Sequence, residues 1–402
     1  MSVLAPLAPY RGVLSLPHVR SVVLVTTLAR IPSTATGVAL TLHAVLTLHT
    51  GFAAAGALIA ALTVGGTLGA PLMGRVTDRH GLRRTLMLTA TAQAAFWLIA
   101  PVLPFALLLP AAFLGGLLML PLFSVSRQSL AALVPEDRRR TAYSLDSMSV
   151  EVSFAVGPAA GVLVATQVST RVALAGIGAS MLLAGLVLYV LNPPIRSEAE
   201  VRAAEGEIAR TRRSWLGRRM VAVLVASAGA TVVLAGTDVS IVATLRHSGE
   251  LTWSGVVLAA WCVWSLLGGF VHGMLPRSLP ALALAALLCL LTMPVGVAGH
   301  WWTLALALIP AGFMCAPTIA STGEVISRLV PAAVRGEAMG MQTSALTAGT
   351  AVGAPLAGAV VDRFGPALGF VAVGAAGAVL VVVALGIAPL AWASARRADL
   401  LS

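Results

Sequence analysis

The sequence predicts an all-α polytopic membrane protein of twelve transmembrane helices in two pseudo-symmetric six-helix bundles. Three observations lead there. Of 402 residues, 58% are hydrophobic and 10% charged, with a mean hydropathy of +0.94. A water-soluble domain carries about 25% charged and about 45–50% apolar residues. The balance excludes a soluble enzyme, a disordered chain and a secreted disulfide scaffold. Apolar runs of about 20 residues, the length that crosses a bilayer core, recur twelve times between breakers. Finally, the halves repeat. LVPEDRR at 133–139 returns as LVPAAVR at 329–335, Pro121 as Pro317 and Gly157 as Gly353, while Gly56, Gly69 and Gly74 return as Gly255, Gly268 and Gly273.

The expected spans fall at 19–45, 51–73, 85–104, 106–133, 141–166 and 172–191, then 219–245, 251–274, 279–298, 301–330, 339–361 and 367–392. Between the two sets of six lies a polar stretch with NPP, glutamates and arginines. The domains are therefore 1–192 and 219–402, joined by a linker at 193–218. Six spans per half make the repeats parallel, related by an axis along the membrane normal. That arrangement belongs to transporters that rock two bundles about a central site.

Orientation follows from the basic residues, all of which are arginines. With both termini cytoplasmic, only Arg171, Arg246 and Arg363 fall outside and Arg30 lies mid-span; the rest collect inside, as the positive-inside rule requires. The net charge of +11 is thus topological anchoring. Aromatics do not interleave with a basic patch, so no nucleic-acid partner is expected. Cys262, Cys289 and Cys315 lie in apolar stretches without CxxC spacing, and the histidines form no HExxH-like pair. No metal, disulfide or cofactor is expected. Without a cleavage site after a short apolar core, no signal peptide is expected.

Residues 74–86 read GRVTDRHGLRRTL. Gly74 and Gly81 permit close approach and unusual backbone angles, and Asp78 is suited to a helix N-terminus, where free N–H groups favour negative charge. This segment resembles the signature between spans 2 and 3 of the major facilitator superfamily. Gly74, Asp78, Arg79, Gly81, Arg83 and Leu86 fit it; Val76 and Thr77 are mild changes, and Leu82 replaces a basic residue. The resemblance covers essentially the whole chain. It implies that Asp78 meets the start of span 11, near Met339, and that the contact closes a cytoplasmic gate. AVGPAAGVL in span 5, with Gly157, Pro158 and Gly161, resembles a truncated form of the motif of the superfamily's drug/proton antiporters. Val162 replaces its last glycine and Ser153 an earlier one. Helix packing by small residues explains the same pattern. The general pattern, including ARIP in span 1, is similar to that of actinobacterial efflux permeases.

Ionisable groups inside the spans are the sharpest clue, because each costs at least about 2.5–3.5 kcal/mol at the bilayer centre. Counted along the helices at about 1.5 Å per residue, Arg30 and Glu151 both fall near the midplane. The superfamily fold would put spans 1 and 5 side by side, so the two are expected to pair facing the cavity, either with Glu151 able to exchange a proton or as a purely structural ion pair. Arg127 and Asp146 fall at equal depth across the span 4–5 hairpin and are expected to form a structural ion pair, with Gln342 as the repeat counterpart of Asp146. Glu324 is a second acid, with Arg328 one turn on. Asp238 lies toward the outer end of span 7 as a gate residue or a solvated helix end. Trp261 and Trp264 share a face of span 8 and read as packing or interfacial anchors.

The resulting expectation is a secondary active transporter in a bacterial plasma membrane, exporting a small amphipathic compound in exchange for protons. Its partners are that compound, protons and the bilayer, and a monomer is the superfamily's usual state. No phosphate-cradling loop points to direct ATP drive. Transport of a sugar or other metabolite is the alternative; Gln93, Gln128 and Gln342 are nearly all the amides available to bind hydroxyls. A non-transporting sensor on the same fold is the alternative of another class.

Overall fold

The computed structural model describes residues 7–206, 215–275 and 277–388. The expected end of span 12 at 389–392, and the anchoring Arg210, Arg212, Arg213, Arg396 and Arg397, lie outside the described residues. All regular structure among the described residues is helical. Among the described residues, ten helices are long and apolar enough to cross a membrane. They are Val19–Thr47, Ala53–His80, Leu82–Val102, Phe105–Leu133, Glu136–Gln167 and Thr170–Leu191 (spans 1–6), Arg218–His247 and Leu251–Met274 (spans 7 and 8), and Ala332–Phe364 and Pro366–Ile387 (spans 11 and 12). Span 10 is a pair, Trp301–Ala307 and Ile309–Leu329, bent by 45°. The twelfth element, span 9, is the shorter apolar helix Ala281–Val297, less than the about 20 residues of a full crossing. The expected linker contains a helix of its own, Glu198–Gly206.

Two expected boundaries move for identifiable reasons. Span 2 does not stop at 73 but runs on to His80, so Gly74 to Arg79 are helical rather than a loop. Thr77 Oγ1 bonds back to the Met73 carbonyl at 2.8 Å, and the turn into span 3 is Gly81 alone, at φ 85°. That left-handed angle is available to glycine at no steric cost. The span 11 helix begins at Arg335 rather than Met339, after a single 3₁₀ turn at Ala332–Val334.

The described residues divide into two compact units. The first comprises 7–206 with Ala332–Ser344, and the second 215–331 with 345–388. The start of span 11 therefore belongs with spans 1–6. In the first unit, Leu40, Leu58, Leu86, Trp97, Leu108 and Leu174 form the core. In the second, Val233, Ile241, Trp261, Leu288 and Phe370 do so. Leu28, Leu183 and Val190 in one unit and Val379 and Val382 in the other are well exposed, as lipid-facing side chains are.

The repeated glycines do the same work in each unit. A Cβ on Gly157 would strike Thr34 and the Ile31 carbonyl of span 1. A Cβ on Gly353 would strike the Val232 backbone of span 7. Small residues let helix backbones touch where a larger side chain would hold them apart. The helix is unbroken from Arg139 to Gln167 with Pro158 inside it, so close packing is the visible result of the span 5 motif.

Candidate functional site

Span 4 is two helical segments, Phe105–Leu117 and Leu122–Leu133, separated at Pro121. The second segment, LFSVSRQSLAAL, is buried on nearly every face although four of its residues carry hydroxyl or amide groups and one is Arg127. Burying such groups is costly unless partners meet them. Span 5 supplies Asp146 to Ser126 and Arg127, and Gln128 donates to Ser124 within the segment. Among the described residues, the hydroxyls of Ser129, and of Ser144 and Ser147 in span 5, are buried with no hydrogen-bond partner.

These helices and span 1 converge on one carboxylate. Arg30 Nη2 donates to Asp146 Oδ1 at 2.7 Å and Nη1 donates to Ser149 Oγ at 2.8 Å. Ser126 Oγ donates to the same Oδ1 at 2.6 Å, and Arg127 Nε donates to Oδ2 at 3.2 Å. Arg127 Nη1 reaches Gln342 Oε1 of span 11 at 2.8 Å. The guanidinium of Arg30 lies over the Phe123 ring, 4.8 Å from its centroid, a cation–π contact. Tyr143 Oη donates to the Arg127 carbonyl at 3.1 Å, tying span 5 to span 4. The side chains of Arg30, Asp146 and Arg127 are 0%, 1% and 2% exposed. Two guanidiniums thus share one carboxylate away from water, and among the described residues the buried Arg30 Nε has no acceptor.

The expected pairing of Arg30 with Glu151 is not what forms. Spans 1 and 5 run in the same direction, so the N-terminal tilt of their Cα–Cβ bonds is common to both, and the much longer arginine side chain leaves a net offset toward the N-terminal side. Counting Cα depth alone therefore set the partner too far along. Arg30 reaches back to Asp146, five residues before Glu151. Glu151 itself is half-buried on the same helix. Arg127 and Asp146, expected to meet across the hairpin, are in contact, with Arg30 as a third member.

Phe123 also lines a cavity of about 30 Å³ with Gly66, Ala70, Met119 and Thr343. In the second unit Arg328 donates to the buried Glu324 at 2.7 Å, and Asp238 is exposed on span 7. Trp261 is buried in the core, and Trp264 donates from Nε1 to the Ala305 carbonyl at 3.3 Å. Both tryptophans pack spans 8 and 10 together.

A second polar assembly joins the end of span 2 to the start of span 11. Asp78 Oδ1 accepts from the Gly336 N–H at 2.9 Å and Oδ2 from the Glu337 N–H at 2.8 Å. These are free donors of the first helical turn, the position at which a carboxylate is favoured. Arg75 pairs with the Glu337 side chain. Gly74 is indispensable to the approach, since a Cβ there would run into the Gly336 carbonyl. Arg79 is exposed, and Arg83 turns away, donating to the Tyr189 carbonyl at 3.3 Å and covering the Tyr189 ring. Of the five expected gate residues, Gly74 and Asp78 touch span 11 directly, and Gly81 makes the turn that ends span 2.

Sequence reasoning did not identify Ser126, Ser149, Tyr143 and Phe123 as members of the buried cluster, nor Arg75 and Glu337 beside Asp78. The spacing of Asp146, Ser149 and Ser153 on one face of span 5 was the available signal.

The sequence profile of the Major Facilitator Superfamily matches residues 22–294 and 276–397. No curated protein sequence matches the chain. Among solved structures, the human organic anion transporter TETRAN is similar at 16% identity and a TM-score of 0.72, with 92% of this chain and 100% of that one covered. A bacterial homologue of the iron transporter ferroportin, outward-facing, is similar at 15% identity and a TM-score of 0.71, covering 92% and 99%. The transporter FucP, in its outward conformation, follows at 16% identity and a TM-score of 0.65, covering 92% and 99%. Twelve apolar elements, two repeats and a profile matched along nearly the whole chain make this multi-pass membrane protein a member of the Major Facilitator Superfamily of transporters.

Proposed function

We propose that the protein is a secondary active transporter that exports a small amphipathic compound in exchange for protons. It works by alternating access across a bacterial plasma membrane, with both termini cytoplasmic. The observation that carries this reading is the Arg30–Asp146–Arg127 cluster, three charged groups held inside spans where each costs about 2.5–3.5 kcal/mol or more. Both carboxylate oxygens of Asp146 are already committed, so a proton arriving there must break an ion pair. Glu151, half-buried farther along span 5, is then the acid that exchanges protons, with the buried Glu324 second. Asp78 on the first turn of span 11 is the cytoplasmic latch, formed in one half of the cycle and released in the other.

An amphipathic rather than sugar-like substrate follows from the amides. Gln93 donates to the Gly115 carbonyl and accepts from Trp97, Gln128 donates to Ser124, and Gln342 accepts from Arg127. All three are engaged by the protein itself. The test uses inside-out vesicles with an acid interior and a panel of dyes, antibiotics and sugars. A transported compound dissipates the gradient with wild type and does not with Glu151→Gln. Gradient loss at the wild-type rate in Glu151→Gln removes Glu151 from the coupling.

A further inference from the structure

The linker helix Glu198–Gly206 meets the Asp78 assembly at two points. Arg196, just before the helix, donates from Nη2 to the Asp78 carbonyl at 2.9 Å. Glu200, in its first turn, receives both terminal nitrogens of Arg335, at 2.5 and 3.3 Å. Arg335 opens the span 11 helix directly before the two residues whose N–H groups Asp78 holds. Its side chain is 3% exposed, and among the described residues Glu200 is its one hydrogen-bond acceptor. A buried guanidinium that loses such a partner is left with an uncompensated charge, which is strongly destabilising.

Glu200 is itself fixed in place. Its Oε2 accepts from the Ser197 N–H at 2.8 Å, and the Ser197 Oγ accepts from the Glu200 N–H at 3.3 Å. This reciprocal cap is spelled by the sequence Ser-Glu-Ala-Glu. It starts the linker helix so that Glu200, in the first turn, meets Arg335. The first turn of span 11 is thus held from two sides: Asp78 binds its N–H groups and Glu200 binds its opening side chain. The same linker segment binds the end of span 2 through Arg196.

We propose that the linker helix is a clasp that seats the first turn of span 11 on Asp78, with Glu200 and Arg196 as positioning residues of the transport cycle. The linker then sets how readily the latch opens, and does so without touching substrate. The inference rests on the latch reading above, and its test separates the two.

Hydrogen exchange is followed by mass spectrometry in the full chain in lipid nanodiscs, reading the peptide over 335–343 against one over 219–245. Asp78→Asn reports the latch itself and is expected to speed exchange at 335–343 alone. Glu200→Gln is expected to speed the same peptide by about tenfold or more, since the buried Arg335 then loses its charged acceptor. Arg335→Gln, which leaves Glu200 capping Ser197, is expected to speed the same peptide as much, and the double variant Glu200→Gln with Arg335→Gln to add nothing further, which two independent local defects would not do. Wild-type exchange in Glu200→Gln, with Asp78→Asn accelerated, overturns the clasp and leaves the latch standing. Additive acceleration in the double variant also overturns it. No change in Asp78→Asn removes the latch, and the clasp falls with it.

Discussion

At the scale of single residues, Asp146 holds together groups from three helices. Removing a shared partner differs from removing an isolated ion pair, because two guanidiniums are stranded at once. Asp146→Ala is expected to destabilise the protein by about 3–5 kcal/mol, read as a lowered denaturation midpoint in detergent. Arg30→Lys is expected to lower it as well, since an ammonium cannot serve Asp146 and Ser149 together while stacking on Phe123. Equal midpoints for Asp146→Ala and wild type would contradict the geometry. Outside the spans, Glu250 caps the start of span 10, accepting from the Trp301 N–H at 2.8 Å and facing His300 Nδ1 at 3.4 Å. The Trp301 N–H, with His300 adding to it, holds the Glu250 carboxyl below its ordinary range. A depressed acid contributes its stability above the unfolded value and loses it as pH falls through the folded one. The difference in melting temperature between wild type and Glu250→Gln should therefore be present above about pH 5 and close under stronger acid. A difference that instead grows under acid would reverse the assignment.

At the scale of elements, the glycines discriminate packing from mere flexibility. Gly157→Ala and Gly353→Ala each force a methyl into the backbone of a neighbouring span and are expected to cost about 1–3 kcal/mol. Gly176→Ala, where a Cβ meets nothing within 4 Å, is expected to be neutral or mildly stabilising, because alanine is the better helix former. Thermal unfolding of the three variants side by side checks this, and similar losses in all three would refute the repeat-related packing. Most span boundaries were legible because apolar runs end at charged or breaker residues. The end of span 2 was not, since polar residues such as Asp78 and Arg79 look like a loop while a helix tolerates them until Gly81. The linker helix was legible only through its Ser197–Glu200 cap, a short signal inside a polar stretch.

At the scale of the whole molecule, the internal repeat and the GRVTDRHG segment carried the fold, and the family profile agrees with them along the chain. The candidate site was legible in its membership and not in its connectivity. Arg30, Arg127, Asp146 and Gln342 all stand out as polar residues in apolar spans, but which acid Arg30 meets depends on side-chain reach and tilt. The serines that complete the cluster are too small and too common to stand out before the helices are assembled. A proton-coupled exporter would use the proton gradient to drive substrate against its own gradient. The most direct measurement loads proteoliposomes with acid buffer inside and alkaline buffer outside, adds a compound found in the vesicle panel at equal concentration on both sides, and follows its interior concentration. Proton-coupled exchange predicts accumulation inside as protons leave, abolished by an ionophore and absent with Glu151→Gln. Interior and exterior concentrations that stay equal, while labelled compound still equilibrates through the protein, would show a facilitator and contradict the account.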